Sequence, residues 1–175
     1  MSHVLLVTGG CRSGKSGYAQ QRAQKLSGTR VFLATCPEVD EEMAQRIQRH
    51  RQQRDSAVWQ TIEEPLAVAE AISKARQYDT ILVDCLTLWV NNLMFQEPAI
   101  DEDQVAAKSM ELVTAAKAHP GTVIFVTNEV GLGIVPENAL ARRYRDLIGR
   151  CNQTIGRSAD EVVFMCCGLP LTIKG

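Results

Sequence analysis

The stretch Gly9-Gly10-Cys11-Arg12-Ser13-Gly14-Lys15-Ser16 decides the fold, because it satisfies the phosphate-binding pattern G-x-x-x-x-G-K-S. The apolar run at 4–7 precedes it and predicts a buried strand, and a helical pattern follows from Lys15 to about Leu26. A strand, a glycine-rich turn and a helix in this order aim backbone amides at phosphate oxygens. The stretch, which we call the phosphate loop (residues 9–16), therefore predicts a nucleotide site. In it, Lys15 reaches the outer phosphates and Ser16 offers its hydroxyl to Mg²⁺.

Strand and helix patterns alternate along the whole chain, which predicts a mostly parallel sheet with helices on both faces. Only Gly168-Leu169-Pro170 joins the last two strands, too short for a helical crossover, so we expect an antiparallel C-terminal edge. A capping-box-like spacing of Thr61 and Glu64, with Pro65 in the first turn, predicts a helix there. We expect one α/β domain over residues 1–175, with strands at 4–7, 31–34, 81–83, 122–126, 162–166 and 171–174, and helices at 15–26, 41–54, 61–77, 86–95, 101–119 and 137–157.

Composition narrows the class of protein. The chain has 175 residues, a formal net charge of −1, 45% hydrophobic and 22% charged residues, typical of a globular protein. The balanced charge argues against nucleic acid as a partner, and no apolar run predicts a membrane span or a leader. None of the six cysteines forms a C-x-x-C pair, so we expect reduced thiols and a cytoplasmic location.

The residues that follow the strands are the next candidates, because ligands of such sheets bind beyond the carboxyl ends of the strands. Asp84 follows the strand at 81–83 and suits Mg²⁺, usually held through water, although an aspartate here could also simply cap the next helix. Asn128 and Glu129 could orient a substrate hydroxyl or serve as a base, or only shape a turn around two glycines. Their segment lacks the N-K-x-D pattern of signalling GTPases, which disfavours that class.

His50 lies in a basic stretch and has two readings. A histidine on a helix is often only packed or solvated, but a neutral imidazole is also a good nucleophile toward phosphate. Nearby arginines such as Arg51 and Arg54 would lower its pKa, while the end of its helix would raise it, and the sequence leaves that balance open. The stretch has no aromatic residue before Trp59 on which a base could stack, which argues against nucleic-acid binding.

Four segments together resemble one enzyme family over essentially the whole chain. They read T-G-G-C-R-S-G-K-S at 8–16, R-I-Q-R-H-R-Q-Q-R at 46–54, T-N-E-V-G-L-G-I-V-P-E-N at 127–138 and R-Y-R-D-L-I-G-R-C-N-Q at 143–153. The chain resembles the bifunctional adenosylcobinamide kinase / adenosylcobinamide-phosphate guanylyltransferase family of cobalamin biosynthesis. The second and third segments are far more specific than the phosphate loop, which many NTPases share.

The resemblance implies a RecA-like P-loop NTPase fold, a homotrimer and two reactions. The first phosphorylates the aminopropanol hydroxyl of adenosylcobinamide with ATP or GTP. The second transfers GMP from GTP to that phosphate through a histidine, here His50, and releases pyrophosphate. The implied nucleotide contacts are Gly9, Gly10, Cys11, Arg12, Ser13, Gly14, Lys15, Ser16, Ala34, Thr35, Cys36, Arg51, Gln52, Gln53, Arg54, Glu63 and Asp84.

This chain departs from the family pattern in two places. It has Arg49-His50 where some members carry paired histidines, and Cys11 where alanine is frequent. Because attack at the γ- and α-phosphates needs different poses, we expect the His50 segment to move relative to the phosphate loop. Two other functions stay open: a simple small-molecule kinase with a structural His50, and a nucleotide-sensing module without turnover.

Overall fold

The computed structural model describes residues 2–36 and 59–175 of the chain. Within them, seven strands form one sheet in the order β3-β2-β4-β5-β1-β6-β7. The strands are β1 (His3–Gly9), β2 (Arg30–Ala34), β3 (Trp59–Glu63), β4 (Thr80–Asp84), β5 (Thr122–Val126), β6 (Glu161–Cys166) and β7 (Leu169–Lys174). The helices are α1 (Lys15–Gln24), α2 (Val68–Lys74), α3 (Leu86–Gln96), α4 (Glu102–Ala118) and α5 (Ala139–Ser158). The helix expected at 41–54 lies outside the described residues.

The pairing of the strands confirms the predicted topology. Every neighbouring pair from β3 to β6 is parallel, and among the strands of the described ranges β7 alone pairs antiparallel, with β6. The two-residue connection at 167–168 leaves β7 no room for a crossover, as the short spacing predicted. The sheet therefore ends in an antiparallel C-terminal edge.

Helices cover both faces of the sheet, as expected. In β1, Leu5 and Val7 pack on the face that α1 covers with Ala19 and Ala23. Val4 and Leu6 point the other way, because successive strand residues alternate between faces. They join the larger core cluster, whose helical members come from α2, α3, α4 and α5. Both faces of the central strands are buried, which explains their continuous apolar runs.

The expected helix at 61–77 is wrong in its first part. The structure has strand β3 there, paired in parallel with β2, and the helix α2 begins only at Val68. The buried Trp59 anchors β3 in the α1-side core, and this contact outweighs the local capping pattern. Thr61 is part of the strand, and the cap-like acceptor is Glu64, whose Oε1 accepts from the amides of Leu66 at 2.9 Å and Ala67 at 2.7 Å.

None of the helices in the described ranges combines the length and the apolar character that crossing a bilayer requires.

Candidate nucleotide-binding site

The phosphate loop connects the end of β1 to the first residues of α1. Arg12 and Gly14 adopt left-handed backbone conformations, with φ of 56° and 92°. Glycine adopts such an angle without steric cost, which accounts for Gly14 at the N-cap of α1. Residues of this kind turn successive N–H groups into one concavity that binds anions. The loop is therefore shaped for phosphate, as the sequence predicted.

The start of α1 adds positive potential to this concavity. The N-cap residue Gly14 has no side chain that could cap the helix, so the first backbone amides of α1 are not occupied by an N-cap side chain. Lys15 Nζ donates to the carbonyl oxygen of Gly10 at 3.1 Å, which holds the ammonium across the loop. The amides, the helix dipole and the ammonium together favour a polyphosphate at this end of the sheet.

Two hydroxyls, one at the end of β1 and one in the phosphate loop, leave hydrogen-bonding capacity that a polar ligand could use. Thr8 Oγ1 and Ser13 Oγ are fully buried and have no hydrogen-bond partner among the described residues. A buried hydroxyl without a partner costs about 1–3 kcal/mol, which a bound polar group would offset. The described residues hold no cluster of three or more His, Cys, Asp or Glu that could bind a metal ion by itself. Mg²⁺ here would take most ligands from phosphate and water, with Ser16 and Asp84 as the protein groups.

Three of the expected contacts lie side by side at the carboxyl ends of the strands. Glu63 is in register with Ala34, and Ala34 is in register with Asp84. Asp84 is itself in register with Val126, beside β1 and the phosphate loop. One row of strand ends thus brings together residues that are far apart in sequence. The half-buried Cys36 follows this row at the end of the first described range.

Thr35 fixes the position of Asp84. Its buried hydroxyl donates to the carbonyl oxygen of Cys85 at 2.7 Å and accepts from the amide of Cys85 at 2.8 Å. The amide of Thr35 donates to the carbonyl oxygen of Asp84 at 3.3 Å. The N-cap residue of α3 is Cys85, so Asp84 precedes the helix and is not its N-cap. The peptide bond between Asp84 and Cys85 is cis.

The charges at this end of the sheet meet at Cys85. The pKa of its thiol is raised to about 11, first by desolvation and then by the neighbouring carboxylate of Asp84, while the ammonium of Lys15 opposes this rise. Because both charges act on one thiol, Lys15 and Asp84 lie at the same end of the sheet. The thiol itself is neutral at physiological pH and does not act as a nucleophile there.

Asn128 and Glu129 follow β5 directly beside the phosphate loop. The amide of Glu129 donates to the carbonyl oxygen of Gly9 at 3.0 Å. The carboxylate of Glu129 turns back on its own segment, where Oε1 accepts from the amide of Gly131 at 2.7 Å. The carboxylate of Glu129 thus stabilises its own turn. The side-chain oxygen of Asn128, in contrast, is buried without a partner among the described residues.

Two further elements support the site, and neither was predicted from the sequence. Asn152 of α5 bonds to Thr127 and Asn128, and the turn between β6 and β7 contacts the loop through Gly168, whose amide donates to the carbonyl oxygen of Ser13 at 3.2 Å. Asn152 lies in the 143–153 segment of the family resemblance, which was the available signal for its role. His50, Arg51, Gln52, Gln53 and Arg54 lie outside the described residues.

Comparison with known proteins finds relatives that match nearly the whole chain. Residues 5–173 match the family described as cobinamide kinase / cobinamide phosphate guanyltransferase. The chain is 40% identical over 171 residues to the bifunctional adenosylcobalamin biosynthesis protein CobP of Pseudomonas aeruginosa, covering 97% of this chain and 96% of that protein. It is 38% identical over 182 residues to the bifunctional adenosylcobalamin biosynthesis protein CobU of Escherichia coli, covering 98% and 99% of the two chains.

A solved structure supports the fold alone. A KaiC-like protein of Pyrococcus horikoshii superposes with a TM-score of 0.52 at 14% sequence identity, covering 93% of this chain and 70% of that chain. The family match covers residues 5–173, and both relatives are at least 38% identical over nearly the whole chain. The chain therefore belongs to the cobinamide kinase / cobinamide phosphate guanyltransferase family.

Proposed function

We propose that this protein phosphorylates the hydroxyl of adenosylcobinamide with ATP or GTP and then transfers GMP from GTP to the new phosphate. The products are adenosylcobinamide-GDP and pyrophosphate. The observation that carries the proposal is family membership over residues 5–173 combined with an intact phosphate loop, in which Lys15 Nζ lies 3.1 Å from the carbonyl oxygen of Gly10.

For the kinase step, the residues of the phosphate loop hold the triphosphate and neutralise charge that develops between the β- and γ-phosphates. Lys15 supplies a positive charge there, and the first amides of α1 supply oriented dipoles. Ser16 and Asp84 would hold Mg²⁺, which when bound screens the negative charge of the phosphates. Glu63, Ala34, Thr35 and Cys36 lie on the strand ends that line the rest of the nucleotide site.

For the guanylyl step, we assign the nucleophile to His50, on the strength of the family resemblance and of the chemistry of imidazole. Attack by its nitrogen at the α-phosphorus would form a phosphoramidate bond and release pyrophosphate. Attack by the corrinoid phosphate would then release the histidine. Arg51, Gln52, Gln53 and Arg54 follow it and suit contacts to the phosphates and the base.

We further propose a homotrimer, carried over from the family resemblance, and a cytoplasmic location, inferred from cysteines that form no C-x-x-C pair. One surface supports an assembly: Leu169, Leu171 and Ile173 line one face of β7 and are 70%, 61% and 62% exposed. A contiguous apolar face of this kind is typical of a surface that another chain covers.

Chromatography of the corrinoid products tests the function. With adenosylcobinamide, GTP and Mg²⁺, the protein should yield first the phosphate and then the GDP derivative, and Lys15→Ala should abolish the first product. Tight nucleotide binding without any corrinoid product would instead support a sensing module. A phosphate product that is never guanylylated would support a simple kinase.

A further inference from the structure

The side-chain oxygen of Asn128 (Oδ1), two residues beyond the end of β5, is buried without a hydrogen-bond partner among the described residues. An amide oxygen has two lone pairs, and leaving it unpaired costs about 1–3 kcal/mol. Such a group in a folded protein calls for a specific explanation. Thr8 Oγ1 of β1 and Ser13 Oγ of the phosphate loop are also buried without a partner among the described residues.

The backbone of Asn128 is held on both sides. Its amide donates to Thr87 Oγ1 of α3 at 2.9 Å, and its carbonyl oxygen accepts from Asn152 Nδ2 of α5 at 3.0 Å. The same Asn152 accepts from Thr127 Oγ1 at 2.7 Å, and Tyr144 of α5 donates to the carbonyl oxygen of Thr87 at 3.0 Å. Two helices thus fix this one residue, far more support than a surface turn requires.

The strands place Asn128 between the two groups that serve the triphosphate. β5 lies between β4, which ends at Asp84, and β1, which leads into the phosphate loop. The residues on either side of Asn128 bond to β1: Thr127 N donates to the carbonyl oxygen of Val7 and Glu129 N to that of Gly9, each at 3.0 Å. Asn128 therefore follows the strand that lies between Asp84 and the phosphate loop, at the carboxyl end of the sheet where the loop would hold a nucleotide.

We propose that Asn128 Oδ1 accepts the hydrogen bond of the alcohol that receives the γ-phosphoryl group. This inference rests on the proposed kinase function. In the step, the alcohol oxygen forms a bond to the γ-phosphorus, and the bond from that phosphorus to the β–γ bridging oxygen breaks. The alcohol proton passes to water, since a neutral amide orients a hydroxyl but does not take its proton. Asn128 is thus a residue that touches the acceptor and aligns its oxygen for in-line attack.

A water held by Mg²⁺ is the other O–H donor that could meet this oxygen. The charged Asp84 and the hydroxyl of Ser16 suit the metal better than a neutral amide does. The two donors make different predictions, because the metal serves both reactions of the enzyme whereas the acceptor alcohol serves only the first. Guanylyl transfer to adenosylcobinamide phosphate made in advance involves no acceptor alcohol.

The test compares Asn128→Leu, which removes the acceptor, with Asn128→Asp, which keeps an oxygen in place. We expect Asn128→Leu to lower kcat/KM for corrinoid phosphorylation about 100-fold, the loss typical of a misplaced reactant. Its affinity for nucleotide and its guanylyl transfer to adenosylcobinamide phosphate should stay near those of the unchanged protein. Asn128→Asp should retain more phosphorylation than Asn128→Leu.

Thr87 provides a matched pair that tests the support of Asn128. Thr87→Val removes the hydroxyl that accepts from Asn128 N, and Thr87→Ser keeps it. The valine variant should lower kcat for phosphorylation without weakening nucleotide binding, and the serine variant should behave normally. An Asn128→Leu protein that phosphorylates the corrinoid at the normal rate, or that loses both reactions in equal proportion, would overturn the proposal. Failure of the unchanged protein in both reactions would instead reject the proposed function.

Discussion

At the residue scale, Gly9 and Gly10 have different steric surroundings. A Cβ built on Gly9 would lie 2.5 Å from the carbonyl oxygen of Met165, and φ of Gly9 is 153°. A Cβ on Gly10 would meet no atom of residues 2–36 or 59–175 within 4 Å. We expect Gly9→Ala to lower the free energy of unfolding by about 1–3 kcal/mol, because β6 must shift away. Gly10→Ala should change it by less than about 0.5 kcal/mol. Urea unfolding of both variants measures this difference, and equal stabilities would contradict the packing described.

Thr35 allows a second prediction from single atoms. Thr35→Val removes the hydroxyl that bonds both the amide and the carbonyl of Cys85, at 2.8 and 2.7 Å. We expect a loss of about 1–3 kcal/mol in unfolding free energy, since buried polar atoms lose their partners. Affinity for Mg²⁺-nucleotide should also fall, because Asp84 is no longer held. Thr35→Ser is the matched control and should restore both; a serine variant as impaired as the valine variant would show that the hydroxyl is not the cause.

At the element scale, an ion pair joins α1 to β6. Arg22 donates two hydrogen bonds to Glu161, at 2.6 and 2.7 Å, and His3 Nε2 lies 3.6 Å from Glu161 Oε2. The guanidinium lowers the pKa of Glu161 below its ordinary value of 4.5. The pair therefore stabilises the fold fully above that value and is lost as pH falls through the lower folded pKa.

Glu161→Gln tests this linkage. The variant should lose about 1–2 kcal/mol at pH 7. Between about pH 5 and 3 its stability should fall less steeply with acid than that of the unchanged protein. Urea unfolding at a series of pH values measures the two slopes. Parallel curves over that range would show that Glu161 does not titrate differently in the folded state.

The helices and strands also show which parts of the fold could be predicted from the local sequence pattern. The buried parallel strands and α3, α4 and α5 followed from apolar runs, helical periodicity and turn residues, because their burial repeats along the chain. β3 could not be found this way, since only Trp59 of its five residues is buried and the pattern Thr61–Glu64 mimics a helix start. Its identity depends on pairing with β2, a contact between residues distant in sequence.

At the scale of the whole molecule, the same limit applies to the site. The positions of the phosphate loop and of Asp84 could be predicted, because each lies at the end of a strand whose apolar run is visible in the sequence. The roles of Asn152, Thr87 and Gly168 were not, because each contacts the site from an element distant in sequence. These positions become visible only when the helices and the hairpin pack around the sheet.

Assembly is the prediction that concerns the whole molecule. We expect sedimentation velocity to give the mass of three 19.3 kDa chains at micromolar concentration. The apolar face of β7 contributes to this expectation, because exposed contiguous apolar surface favours association. Leu171→Lys tests that contribution and should shift the distribution toward smaller species. A stable monomer of the unchanged protein would contradict the trimer.

The central claim is that one chain forms a covalent link to GMP as well as transferring phosphate. Intact-mass spectrometry after incubation with GTP and Mg²⁺ tests it most directly, with peptide mapping to locate the adduct. The account predicts the gain of one guanylyl group at His50, labile in acid and absent in His50→Ala. A protein that phosphorylates adenosylcobinamide but never gains this mass would contradict the account.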